Sequence, residues 1–184
     1  LDVSEGHLSR AAGHQWALGT PSEPELQQIL SEIERGLAAG AVGFGSTVGY
    51  MPGATSRELY EAQSIAARFG RVSAIHTRHT PGTETEITNG IQEALANGAA
   101  TGGPTLIMHF NNPGWEIVQD LLIGMRAQGH NVWGELYPYA AGSTSLNAVF
   151  LKPENWEDRL GHRYEETLYD PIDKRFYNRE SYRE

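Results

Sequence analysis

The sequence predicts an α/β fold in which short parallel strands alternate with helices. Over residues 20–142, amphipathic helical patterns and apolar strand patterns follow each other four times, in units of about 30 residues. Many of the 21 glycines stand at the ends of these elements. Units of this kind suit either a (β/α)8 barrel or a doubly wound sheet with right-handed crossovers. Because no GxGxxG or Walker sequence follows a strand, the nucleotide-binding folds lose support.

The first helix is predicted from the segment that begins at Thr20. A Ser or Thr cap, a proline in the first turn and early acidic residues favour a helix start there, and Gly40 ends the helix. Its apolar residues recur at the spacing of one helix face: Leu26, Ile29, Leu30, Ile33 and Leu37. A short buried strand is predicted over residues 41–46.

Three more helix and strand pairs follow. The predicted pairs are a helix from residue 55 to 70 with a strand at 72–76, a helix at 84–97 with a strand at 105–109, and a helix at 115–128 with a strand at 132–137. The alternation stops after Gly142. The remaining tail is rich in aromatic and charged residues, and a final helix is predicted from about Asn178.

The composition excludes several classes of protein. The chain of 184 residues carries 14 basic and 23 acidic residues, a net charge of −9 that repels phosphate backbones, and the basic residues are scattered. We therefore expect no nucleic-acid partner. The hydrophobic share of 39% argues against a disordered chain. No apolar run approaches the roughly 20 residues of a membrane span, and we expect a soluble protein with no membrane partner. The absence of cysteine removes thiolate nucleophiles and cysteine-based metal sites.

Two consecutive predicted strands end in histidine. His76 and His109 are 33 residues apart, one strand and helix unit, so both would lie at the carboxyl ends of neighbouring strands. The alternation of side chains places His76 on the face of Val72, and His109 on the face of Thr105 and Ile107. Two imidazoles at one rim of a sheet can share a metal ion. Each histidine could equally be a hydrogen-bonded residue at a strand end.

Three other residues near this rim carry functional groups. Arg78 could bind a carboxylate through two hydrogen bonds, or could form a surface salt bridge. Tyr137 could bind a substrate carboxylate or carbonyl, or could pack at the mouth of a barrel. Glu135 is an acid in an otherwise buried strand, and is either part of a site or on an edge strand. The remaining histidines in loop contexts are expected to be solvated: His7, His14, His130 and His162.

Six segments together resemble the N-acyl-D-amino-acid deacylases, which are metal-dependent amidohydrolases. Residues 40–47 with the Tyr50–Gly53 loop and Glu58-Leu59 resemble their GALGLSTG…Y.PG…EL signature, and the strand ends at His76-Thr77-Arg78 and Ile107-Met108-His109 resemble their HxR segment and a metal-binding histidine. Residues 127–144 resemble the block A..G..V..E.YPY.AGST. The resemblance covers about residues 36–182. Glu135 and the tail from Asp170 resemble the N-acyl-D-glutamate deacylase branch.

The resemblance implies a fold, a reaction and a set of site residues. The fold would be part of a (β/α)8 barrel of the amidohydrolase type, and the reaction would be hydrolysis of an N-acyl-D-amino acid such as N-acyl-D-glutamate by metal-activated water. His76 and His109 would hold zinc, one or two ions in the complete enzyme. Tyr137 and Arg78 would bind the substrate. The compartment, cytoplasmic or periplasmic, is left open.

Other family features have no counterpart in this chain. The HxH pair, the bridging ligand and the general-base Asp are not found, and Phe110-Asn111 stands where the family has a lysine. We therefore expect a central fragment of a barrel that is inactive by itself. We expect one domain over residues 1–184, with βα units at 36–142 preceded by residues 1–35, and an extension or insertion at 143–184. The alternative is a non-catalytic binding or assembly domain, and exposed barrel edges would favour its self-association.

Overall fold

The computed structural model describes residues 3–4 and 18–183. His7 and His14 lie outside the described residues. The chain divides into two compact units, residues 1–138 and 139–184. The assignment of a single domain with an extension after residue 142 stays a prediction.

The first unit contains five strands and four long helices within its described residues. In chain order they are β1 (Val3–Ser4), α1 (Glu23–Ala38), β2 (Gly43–Ser46), α2 (Ser56–Arg68), β3 (Val72–Ile75), α3 (Glu84–Thr101), β4 (Thr105–Ile107), α4 (Trp115–Ala127) and β5 (Val132–Gly134), with a 3-10 turn at Val48–Tyr50. The four helices and four strands predicted over residues 20–142 are all present. The strands β3, β4 and β5 end one to three residues earlier than the sequence pattern predicts.

The strands form one parallel sheet in the order β1-β2-β3-β4-β5. Ile75 of β3 pairs with Ile107 of β4, and Ile107 pairs with Gly134 of β5, so the carboxyl ends of these strands lie side by side. The predicted α/β class with parallel strands is therefore confirmed. β1, which pairs with β2, was not predicted, because two residues carry no strand periodicity.

Local sequence explains where the helices begin and end. The backbone amide of Ser22 donates to the carboxylate of Glu25 at 2.7 Å, and Thr55 Oγ1 accepts from the Glu58 amide at 3.0 Å. Gly40, with φ of 101°, takes up the left-handed conformation after α1 that other residues adopt at a cost. The predicted start and end signals thus coincide with the observed helix termini.

The helices and one face of the sheet share a single core. All five predicted apolar residues of α1 are buried, as are Phe44, Ile75, Ile107 and Val132 from the strands. The alternate strand positions, Ala74, Leu106 and Trp133, are only half-buried. The two faces of the sheet therefore differ, and the helices cover the more buried one.

The second unit is built from short elements around a buried tyrosine. Its elements are a 3-10 turn (Val149–Leu151), α5 (Pro153–Trp156), α6 (Tyr164–Thr167) and an antiparallel pair of β6 (Tyr169–Asp170) and β7 (Arg175–Phe176). The Tyr164 hydroxyl donates to the Leu151 carbonyl. Burial raises the pKa of this phenol above its usual value.

The helix predicted from Asn178 is wrong, because turns occupy residues 179–183. Asn178 Oδ1 accepts from the Ser181 amide at 2.8 Å, and Ser181 Oγ accepts from the Asn178 amide at 2.9 Å. Side chains of this kind compete with helical backbone bonds. None of the described helices is both long enough and apolar enough to span a bilayer.

Candidate functional site

His76 directly follows β3, and its backbone is bonded both to β2 and to the turn after β2. Its amide donates to the Ser46 carbonyl at 2.9 Å, and its own carbonyl accepts from the Gly49 amide at 3.3 Å. The residue is 8% exposed. The backbone of β2, β3 and the turn after β2 therefore positions this imidazole.

The imidazole of His76 is neutral at ordinary pH. Burial, followed by the neighbouring imidazole of His109, lowers its pKa from 6.5 to about 4. Its Nδ1 atom is buried and has no hydrogen-bond partner on any other described residue. Gly49 packs so closely that a Cβ atom there would lie 2.8 Å from Nδ1. A buried nitrogen without a partner is uncommon, and its lone pair is the group that binds a metal.

His109 lies next to His76, but the backbone conformation that places it there is not the continued strand that the sequence pattern predicts. The two rings are 5.2 Å apart between centroids and almost perpendicular. The prediction that His109 continues the face of Thr105 and Ile107 is wrong, because β4 ends at Ile107. His109 has a left-handed backbone, with φ of 53°, and this turn brings its half-buried ring to His76.

Tyr137 extends the row of rings on the far side of His109. Its ring centroid is 4.9 Å from that of His109, and on the opposite side Tyr50 lies 5.0 Å from His76. The Asn111 side chain holds the Tyr137 backbone, since Oδ1 accepts from the Tyr137 amide at 2.8 Å and Nδ2 donates to its carbonyl at 3.0 Å. The structure thus places the candidate substrate residue beside the candidate metal ligands.

Glu135 combines both of the alternatives that the sequence left open. It follows β5, which is an edge strand of the described sheet, and its side chain is partly exposed. At the same time its Oε2 accepts from the His109 amide at 3.0 Å and lies 3.8 Å from His109 Nε2. The carboxylate therefore belongs to the surroundings of His109.

Arg78 has internal partners. Its guanidinium makes two hydrogen bonds to the Glu93 carboxylate on α3, at 2.8 and 3.2 Å, and a third to the Ala54 carbonyl at 2.7 Å. Both side chains of the ion pair are 18% exposed, so the pair is more buried than a surface salt bridge. Burial opposes ionisation of Glu93, but hydrogen bonds from Arg78 and Ser56, together with the nearby charges of Arg78 and His79, outweigh it, and the net pKa of Glu93 is lowered. The role of Arg78 as a substrate ligand stays a prediction.

Sequence reasoning did not predict the contacts by which Gly49, Glu93 and Asn111 shape this site. Glu93 is 15 positions from Arg78, and Asn111 is 26 positions from Tyr137. No local spacing signals contacts between different loops. Gly49 stands in a glycine- and proline-containing loop that is also typical of an ordinary turn. Of the other predicted histidines, His130 and His162 are half-buried rather than solvated.

The residues present fit part of a zinc site. No cluster of three or more His, Asp or Glu side chains suited to a metal occurs among the described residues. The pair of neighbouring imidazoles, with a buried neutral nitrogen on His76, nevertheless has the chemistry of two zinc ligands. The Glu135 carboxylate beside His109 is the kind of outer partner that orients such ligands.

Comparison with solved structures defines the class. The chain is an α/β protein that matches part of the TIM-barrel domain of amidohydrolases. Its candidate site residues follow the carboxyl ends of the strands. A crystal structure of D-aminoacylase, described as defining a novel subset of amidohydrolases, matches 75% of this chain and 30% of its own length, with a TM-score of 0.63 and 27% identity. The N-acyl-D-glutamate deacylase of Bordetella bronchiseptica, complexed with zinc and a phosphonate mimic of the tetrahedral intermediate, covers 77% of this chain and 30% of its own, with a TM-score of 0.61 and 31% identity.

The similar proteins are named as D-aminoacylases and N-acyl-D-glutamate deacylases. The N-acyl-D-glutamate deacylase of Alcaligenes xylosoxydans xylosoxydans is 29% identical over 148 residues, which are 77% of this chain and 30% of the relative. The chain is therefore a homologue of D-aminoacylases and N-acyl-D-glutamate deacylases. It spans about 30% of the length of the relatives it matches. No protein-family model matches the chain.

Proposed function

We propose that this chain supplies part of the active site of a metal-dependent hydrolase that cleaves the amide bond of N-acyl-D-amino acids. The observation that carries the proposal is the pair of His76 and His109 after adjacent strands, with a buried nitrogen on His76 that no other described residue bonds. The relatives support the substrate class, because they are named for D-aminoacylase and N-acyl-D-glutamate deacylase activity.

His76 and His109 are the residues that would hold zinc. The low pKa of His76 keeps its imidazole neutral, so that a lone pair is available without loss of a proton. When bound, zinc lowers the pKa of a water ligand to about 7 and polarises a carbonyl group. The half-buried side of His109 leaves that ring open to a substrate.

Tyr137 is the first candidate for binding the substrate carboxylate. Its ring is next to His109, and Asn111 holds its backbone, so the phenol has a defined position at the rim. Arg78 is the second candidate, but its guanidinium would have to exchange the Glu93 carboxylate for that of the substrate. We therefore assign the larger share of substrate binding to Tyr137.

Zinc binding by the purified chain tests the metal site. We expect one equivalent of zinc, measured by calorimetry and elemental analysis, which is lost in His76→Ala and in His109→Ala. The matched control is His79→Asn. His79 is exposed and has a left-handed backbone that asparagine tolerates, and this variant should bind zinc as the wild type does. Unchanged zinc binding in both alanine variants would contradict the site.

Hydrolysis of N-acetyl-D-glutamate with added zinc tests the reaction. Catalytic zinc sites usually have three protein ligands, and we expect no turnover by the isolated chain because His76 and His109 supply two. Turnover by the pure chain would refute this expectation. A chain that binds no zinc would favour the non-catalytic binding or assembly domain instead.

Self-association through a strand edge is the corresponding prediction for an assembly domain. β5 is at one edge of the described sheet, and its backbone groups could pair with another chain. Light scattering over a range of concentrations measures this directly. A monodisperse monomer would contradict self-association without affecting the zinc proposal.

A further inference from the structure

The hydrogen-bond ladder between β4 and β5 skips one residue at His109. The Glu135 amide donates to the Ile107 carbonyl at 2.8 Å, as in a regular parallel ladder. The Glu135 carbonyl would then accept from the amide two positions after Ile107, which is that of His109. It accepts instead from the Phe110 amide, at 3.0 Å. His109 is therefore the extra residue of a β-bulge.

The side chain of Glu135 takes the place of the missing backbone acceptor. The displaced His109 amide donates to Glu135 Oε2 at 3.0 Å. His109 has a left-handed backbone, with φ of 53°, which a residue with a Cβ atom adopts only when its surroundings favour it. Without the carboxylate, a partly buried amide would lose its partner at the strained position.

The bulge determines the direction of the His109 ring. In a continued strand, His109 would share the face of Ile107, which is buried against the helices. The left-handed turn brings the ring to within 5.2 Å of His76 instead. The same Glu135 oxygen that accepts from the backbone also lies 3.8 Å from His109 Nε2, so one carboxylate is next to both the backbone and the ring.

We propose that Glu135 is a positioning residue for His109. Its carboxylate holds the left-handed bulge and thereby places the His109 imidazole against that of His76. The consequence for metal affinity rests on the proposed zinc site, whereas the hold on the backbone does not. An acidic residue directly after this edge strand is thus explained by its bond to the loop after β4.

Glu135 could instead simply hold the loop after β4 to the segment after β5, without a specific effect on His109. Asn111 provides a control for this alternative. Asn111 also joins the loop after β4 to the segment after β5, through two bonds to the Tyr137 backbone. None of these bonds involves the His109 backbone. Asn111→Ala therefore loosens the same pair of loops and leaves the bulge acceptor in place.

The first measurement uses the metal-free chain and nuclear magnetic resonance. In the wild type, the His109 amide should exchange slowly with solvent and resonate downfield, as expected of a donor to a carboxylate. Glu135→Ala should abolish both features and Asn111→Ala should preserve them. Glu135→Gln keeps an acceptor oxygen at the same reach and should retain slow exchange. Glu135→Asp keeps the charge but shortens the reach, and should resemble alanine.

The second measurement is zinc affinity by calorimetry on the same variants. Glu135→Ala and Glu135→Asp should bind zinc about tenfold or more weakly, the usual effect of losing an outer partner of a ligand. Glu135→Gln and Asn111→Ala should remain close to the wild type. If the alanine variant does not fold, the glutamine and aspartate variants carry both measurements.

The outcomes separate the two proposals. An unchanged His109 amide in folded Glu135→Ala or Glu135→Asp would overturn the positioning role. Wild-type zinc affinity in those variants would overturn its effect on the metal site. A wild-type chain that binds no zinc would contradict the proposed function alone, and the amide measurements would still decide whether Glu135 holds the bulge.

Discussion

The loops that follow β3 and β4 each present a histidine at the same rim, but they hold it by different means. His76 directly follows β3, is 8% exposed, and its amide and carbonyl bond to the backbone of Ser46 and Gly49. His109 lies on a left-handed bulge, is half-buried and has its amide bound to the Glu135 side chain. The backbone positions the first imidazole, and a side chain positions the second. Substitutions around the two histidines should therefore have different effects on stability and on amide exchange.

Acid should have the largest effect, through His76. Because its pKa is about 4 in the folded chain and 6.5 in the unfolded chain, the unfolded state binds more protons between these values. Stability is therefore intact above pH 6.5 and falls as the pH is lowered to 4, by about 3 kcal/mol from this group. Denaturant unfolding at a series of pH values measures the loss.

His76→Gln is the control for this pH dependence, because it removes the titrating group. The difference between wild type and variant isolates His76 from the carboxylates that also titrate in acid. Equal pH dependence in the two proteins would show that His76 is not buried as described.

Gly49→Ala should destabilise the His76 loop by about 2 kcal/mol, because the new methyl group overfills the space. The added Cβ would lie 2.7 Å from the Thr77 carbonyl oxygen and 2.8 Å from His76 Nδ1. Gly124→Ala in α4 is the matched control, since nothing lies within 4 Å of its Cβ and alanine favours a helix. Thermal unfolding should move in opposite directions for the two variants. Similar shifts would contradict the close packing at Gly49.

Arg78→Ala should cost about 1.5 kcal/mol, because it removes three hydrogen bonds of a charged group and leaves the half-buried Glu93 without its cation. Adding Glu93→Gln should restore part of that stability, since the unpaired charge is then absent. A double-mutant cycle in denaturant measures the coupling. Additive effects of the two substitutions would mean that the pair does not hold this loop, and would leave Arg78 free for a substrate.

Asn111→Ala should have the smallest effect, less than about 1 kcal/mol, because its bonds lie at an exposed position. The effect should be local: the Tyr137 amide should exchange faster with solvent, whereas the exchange of the β3 amides should not change. Serine at position 111 is too short to reach both backbone groups and should behave like alanine. Loss of protection around His76 as well would show that the two loops are coupled rather than held separately.

Much of the fold could be predicted because its signals are local. The start of α2 at Thr55 and the end of α1 at Gly40 follow from capping chemistry within a few residues. The prediction of a helix from Asn178 failed because the Asn178 side chain accepts from the Ser181 amide and stabilises a turn instead. It also missed β1, which is too short to have a period.

The amino-acid sequence by itself determined the alternation of strands and helices and the placement of His76 and His109 after adjacent strands. Both depend on periodicity and spacing along the chain. Only the tertiary structure decided how the two histidines meet. The partner of Arg78 is 15 positions away, and that of the His109 amide is 26 positions away. Burial of His76 and the bulge at His109 arise from contacts between loops, and hydrogen bonds at such separations leave no local pattern in the sequence.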